Sequence, residues 1–118
     1  MNERLTRRER IRSAKDFTSL YKNGGRFRGR YFTLVYRTNE LGFSRLAVVV
    51  SRKVGPAVVR NMVKRRMREI FRRNKTAIAR PTDLIVIARQ EIVALCPADL
   101  EAGYTEALRT IARERTVS

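Results

Sequence analysis

VVVSRKVGPAVVRNMVKRRMREIFRR, residues 48–73, joins the end of an apolar run to a strongly basic stretch. Nine lysines and arginines and a single acid, Glu69, fall between Arg52 and Arg73. Wound as an α-helix at about 100° per residue, it gathers Val59, Val63, Met67, Ile70 and Phe71 into one arc and sets Asn61, Lys64, Arg65, Arg68 and Arg72 roughly opposite. One face packs inward and the other concentrates positive charge. Gly55-Pro56 opens the helix, with Pro56 near the first turn, where a missing amide hydrogen costs little, and the helix should end near Asn74.

Working outward, Leu46–Val50 is a continuous apolar run too short for a helix and reads as a central strand. Arg80–Thr82 makes a connection, and Leu84–Ala88 has the composition of another buried strand. Strand, helix, strand implies a crossover connection. Upstream, Phe27–Arg37 is β-branched and aromatic, with Phe32, Leu34 and Tyr36 on one face and Tyr31, Thr33 and Val35 on the other, as in a half-buried strand. Asn39–Gly42 is a polar turn, so this strand and Leu46–Val50 are expected to pair as an antiparallel hairpin. Ser13 can cap a first helix with Asp16 at its third position; Phe17, Leu20 and Tyr21 follow at helical spacing until Gly24-Gly25 stops the run. Pro97 starts a last helix, with Asp99 and Glu101 in its first turn and Leu100, Tyr104, Leu108 and Ile111 along the side that should cover one face of the sheet.

The expected order is helix, two strands, basic crossover helix, strand, helix, in an α/β fold of the α+β sandwich kind with a small central sheet. Residues 1–12 carry five arginines against two glutamates without an apolar period and read as a basic flexible arm; residues 13–118 form a single domain.

At 118 residues and 43% hydrophobic content the chain can bury one modest core. Its formal charge of +16 exceeds what solubility requires, and the resulting self-repulsion argues for a polyanionic partner, nucleic acid first. Cys96 is the only cysteine and histidine is absent, which excludes an intramolecular disulfide and makes a zinc site built from Cys and His implausible. No apolar signal segment follows the basic start and no run of eighteen apolar residues exists, so neither secretion nor membrane spanning is expected. The composition suits the cytoplasm.

For the basic helix, the bland reading is a solvated polar face, yet such faces usually mix signs. Here Arg60, Lys64 and Arg68 stand at i, i+4 and i+8 and repel each other by about a few tenths of a kcal/mol per pair, a cost that bound phosphates would offset. Arg52 and Lys53, just past the apolar strand, extend the patch. Asn61 can reach a phosphate, a base edge or a metal-bound water, or be an ordinary polar residue. Phe17 and Tyr21 are either core residues or a stacking platform for single-stranded bases, worth about 1–3 kcal/mol per base, to which Tyr31 could add. No catalytic constellation assembles: the acids are dispersed, Glu69 is surrounded by bases, Cys96 has no histidine to activate it, and neither glycine pair has the spacing of a phosphate-binding loop. No catalytic residue and no metal ligand is assigned.

The 48–73 stretch closely resembles the signature of the protein subunit of bacterial ribonuclease P, and KDFTSLYKNG, GRYFTLVYR and DLIVIAR extend the resemblance in order over nearly the whole chain. The resemblance implies a ribonucleoprotein that removes the 5′ leader of precursor tRNA by hydrolysing one phosphodiester bond. In it an RNA subunit carries the endonuclease chemistry with Mg²⁺, and one protein serves each RNA as a non-catalytic partner. Arg52, Lys53, Arg60, Asn61, Lys64, Arg65 and Arg68 would face the RNA subunit, and a cleft of Phe17, Tyr21, Tyr31, Thr33 and Val35 would hold the single-stranded leader. It also implies a left-handed crossover, against the usual right-handed rule. Met62 departs from a polar or basic residue common in the family, and Val35 stands where relatives can carry an aromatic ring. The main alternative is a ribosomal or general RNA-binding protein without leader selectivity. A protein-only endonuclease would cut without RNA, and a helix-turn-helix DNA reader fits poorly because a strand precedes the basic helix.

Overall fold

The computed structural model describes residues 7–117. In chain order it has helix α1 (Ala14–Asn23), strands β1 (Gly25–Arg28), β2 (Phe32–Thr38) and β3 (Arg45–Val49), helix α2 (Ala57–Arg73), strand β4 (Thr82–Ala88) and helix α3 (Pro97–Val117). Short 3-10 turns occupy Arg7–Glu9, Lys75–Ala77 and Gln90–Ala94. Ser13 caps α1 as its sequence suggests, its Oγ accepting from the Asp16 amide at 3.3 Å.

The four strands lie in the order β1-β2-β4-β3. β4 pairs antiparallel with β2 and parallel with β3, so α2 is the crossover between parallel neighbours. This corrects the expected hairpin: β2 and β3 do not pair, because β4 lies between them. The reason is visible in β4, which is buried at every position but Ile87 and therefore needs a strand on each edge and a layer on each face. The segment expected as one strand from Phe27 to Arg37 is also two. The chain turns at Gly29, whose amide donates to the Phe32 carbonyl at 2.9 Å, and β1 folds back antiparallel on β2. Gly25 opens β1 opposite Tyr36, whose ring would lie 2.5 Å from any Cβ there.

Alternation along the strands divides the interior. Leu34, Leu46, Leu84 and Val86 meet Val63, Met67, Ile70 and Phe71 of α2 and Leu100, Tyr104, Leu108 and Ile111 of α3 in the larger cluster. On the other face Leu20 of α1 packs with Val35 and Ile85. α2 and α3 are also tied at one end, where Asn74 donates to Glu101 at 2.6 Å and Arg73 at 3.1 Å, contacts that hold the Glu101 carboxyl below its usual range. Tyr104 is fully buried, its hydroxyl has no hydrogen-bond partner among the described residues, and burial pushes its phenol pKa up. Tyr104→Phe should therefore raise stability by about 1 kcal/mol, since it removes an unpaired polar group and no packing. A denaturant titration that shows a loss instead would reveal a bonded hydroxyl.

Half of the expected flexible arm has a seat. Arg10 bridges Leu46 in parallel, Ile11 donates to the Leu46 carbonyl at 3.1 Å, and the buried Glu9 pairs with Lys75. Residues 7–12 thus cover the outer edge of β3, while residues 1–6 lie outside the described residues.

Candidate nucleic-acid interface

α2 buries Val63, Met67, Ile70 and Phe71 and leaves Asn61 and Arg65 exposed, with Arg60, Lys64 and Arg68 half-buried between. Arg52 and Lys53 are exposed in the turn between β3 and α2, which leads directly into the basic helix. The seven residues expected to meet RNA differ in freedom. Arg60 donates through Nε to the Gly55 carbonyl at 3.2 Å and holds the turn that carries Arg52 and Lys53. The Arg68 guanidinium is held below its usual pKa by burial and then by the charge of Arg10. Glu69, the acid within the stretch, is turned to Arg73 at 3.0 Å and Arg72 at 4.0 Å, and leaves Lys64, Arg65 and Arg68 without an ion pair among the described residues.

The leader cleft is only partly as expected. Phe17 and Tyr21 stack, with ring centroids 6.2 Å apart and planes 14° from parallel, and Tyr21 is 45% exposed. Phe17 packs against the small cluster beneath α1, so it is both a core and a surface residue. Thr33 is half-exposed on the same sheet face. Val35, in contrast, is fully buried under α1 and offers a ligand no surface. Tyr31 precedes β2 in the turn after β1, where strict alternation fails, and packs with the larger cluster on the far side of the sheet. The structure therefore separates Tyr31 from Phe17 and Tyr21.

Two cations take part that the sequence reading passed over. The Arg26 guanidinium lies 4.6 Å over the Tyr21 ring and donates to the Tyr21 carbonyl. Arg28, exposed, pairs across from Thr33 and shares its face. Period-two alternation within GRFR, with Phe27 turned to the core, was the signal that could have found both. Arg37, also on this face, donates to Ser19 of α1 at 3.0 Å. The result is a surface beside α1 that joins stacked aromatics to arginines, a combination suited to unpaired nucleotides.

Among the described residues no group of three or more His, Cys, Asp or Glu is placed to hold a metal ion. The carboxylates nearest these surfaces are committed: Asp16 and Asp83 to Arg45, and Glu69 to Arg73. No helix of the described residues is long and apolar enough to cross a membrane.

The ribonuclease P family model matches residues 5–112. The ribonuclease P protein component of Thermotoga maritima is 47% identical over 92 residues, covering 78% of this chain and 79% of its own length. The solved structure of the ribonuclease P protein from Thermotoga maritima superposes with a TM-score of 0.79 at 36% identity, over 86% of this chain and 96% of that one. The Staphylococcus aureus ribonuclease P protein gives a TM-score of 0.79 at 35% identity, over 87% and 94%. The family model covers most of the chain and relatives of this identity match it along most of their own length, so the chain is a member of the bacterial ribonuclease P protein family.

Proposed function

We propose that the chain is the protein component of a ribonuclease P holoenzyme that removes the 5′ leader from precursor tRNA, and that the hydrolysis belongs to the RNA component. The observation that carries this reading is the presence of two surfaces on one small sheet: a cationic face on α2, and stacked aromatics with arginines beside α1 on the opposite side. The first suits the phosphates of a folded RNA and the second an unpaired strand. Arg52, Lys53, Lys64, Arg65 and Arg68 meet the RNA subunit, with Arg60 positioning the turn. Phe17, Tyr21, Thr33 and Arg26 hold the leader, one protein serves each RNA, and the assembly works in the cytoplasm. With every nearby carboxylate paired to a cation, this chain's residues do not fit a Mg²⁺ site; Mg²⁺ is held by the RNA.

The test is reconstitution with a bacterial ribonuclease P RNA, following precursor tRNA cleavage at low Mg²⁺ with each component omitted in turn. Cleavage by the pair and none by the polypeptide alone is expected. Cleavage by the polypeptide alone, or unchanged turnover and affinity on adding it to the RNA, would overturn the reading. Within it, Tyr21→Ala and Phe17→Ala should each narrow the affinity gap between precursor and mature tRNA by about 5-fold or more, from loss of one stacked base. Binding of the RNA subunit should hold. Equal weakening for precursor and mature tRNA would point to general RNA binding without leader selectivity.

A further inference from the structure

A second basic hollow lies at the opposite end of β3 from Arg52 and Lys53, between the segment 7–13 and the loop joining β2 to β3. It measures about 500 Å³ and is lined by Arg7, Arg8, Arg10, Arg12 and Arg45 around the ring of Phe43. Arg45 is neutralised by Asp83 at 2.7 Å and Asp16 at 3.3 Å. The other four arginines have no ion-pair partner among the described residues, and the Arg10 Nε is buried without an acceptor. The intervening acid, Glu9, is turned inward, 7% exposed, and paired with Lys75. Four unopposed charges in one concave site raise the energy of the free protein and favour an anionic occupant.

The hollow is also shaped in advance. Gly42 turns the loop at φ 86°, a conformation that favours glycine. The Asn39 amide donates to the Phe43 carbonyl at 3.2 Å and to Asp83 at 2.7 Å, which ties the loop to β4. Phe43 in turn carries the Arg8 guanidinium 4.7 Å above its ring centroid, with Arg8 itself exposed. A guanidinium held on an aromatic ring is a platform on which a base can stack from the outer side. Arg10 bridges Leu46 of β3, which shares the larger cluster with Val63 and Met67 of α2, so the hollow lies beside the packed edge of that helix.

We propose that this hollow is a second RNA-contact site, where phosphates of the RNA lying along α2 meet Arg7, Arg10 and Arg12 and an unpaired base stacks on the Arg8 guanidinium. The inference rests on the RNA-binding reading above, and its test separates the two. Association of the full chain with the ribonuclease P RNA subunit is measured from low to near-physiological salt for the parent, for Arg7→Ala/Arg8→Ala/Arg12→Ala, for Arg8→Lys and for Lys64→Ala/Arg65→Ala. The triple variant should lower the salt slope by about two to three, with the thermal midpoint unchanged or raised. Arg8→Lys should keep the parent slope yet bind about 5-fold more weakly, because it retains the charge and loses the plane.

A parent slope in the triple variant, while Lys64→Ala/Arg65→Ala lowers its own, would overturn the hollow and leave the α2 interface standing. Parent slopes in both would overturn the RNA-binding reading itself. Parent affinity in Arg8→Lys would remove the stacking element.

Discussion

Asp83→Ala is expected to destabilise the chain by about 3 kcal/mol, the largest loss from any one exchange of a polar side chain here. Asp83 sits at the start of β4 and receives the Arg45 guanidinium in two parallel bonds, Nε at 2.9 Å and Nη2 at 2.7 Å. The side chains are 6% and 15% exposed, and Asn39 adds a third bond to the same carboxylate. Hydrogen bonding to Asp83 is the main cause of the raised Arg45 pKa, ahead of the opposing effect of burial. Removing the carboxylate leaves a shielded guanidinium with only Asp16, at 3.3 Å, in a chain already strongly cationic. Asp83→Leu combined with Arg45→Met should recover most of the loss, since an apolar pair needs no compensation. Chemical denaturation decides: a cost below about 1 kcal/mol for Asp83→Ala would mean that water already solvates Arg45 and the network contributes little.

The second large effect is on RNA. Replacing Arg52, Lys53, Lys64 and Arg65 together by alanine should reduce the salt slope of RNA-subunit binding by about three to four. At low salt it should weaken binding by about 10²-fold, taking about 0.7 kcal/mol per phosphate contact, as non-specific affinities imply. None of the four packs in the core, and Lys64 stands at i+4 from Arg60 and at i−4 from Arg68, so the thermal midpoint should hold or rise. Opposite movements of stability and affinity are the signature of charges kept for a partner. A parallel fall of both would mean that the face supports the fold rather than RNA.

Local chemistry made much of this legible. The Ser13 cap, the span of α2 and its division into apolar and basic arcs, and the start of α3 at Pro97 all follow from side chains within a few residues of each other. The basic surface was legible for the same reason, because a helix displays its periodicity to itself. The aromatic surface beside α1 was less so. Phe17 and Tyr21 could be named from their spacing, but Val35 and Tyr31 were assigned to the same face as Thr33 on the assumption of one unbroken strand. The turn at Gly29 breaks that strand, and α1 buries Val35. Arg26 and Arg28 went unnoticed because β1 was not read as a strand in its own right.

By its order of residues alone the chain determined which segments are helices, which runs are buried and where positive charge concentrates, since periods of 3.6 and 2 are local properties. Tertiary structure alone decided that β4 enters between β2 and β3, that residues 7–12 close the edge of β3, and that Arg8, Arg10 and Arg12 gather around Phe43. Those outcomes depend on which distant strand satisfies both edges of an apolar β4, a competition among segments far apart in the chain that no local pattern records.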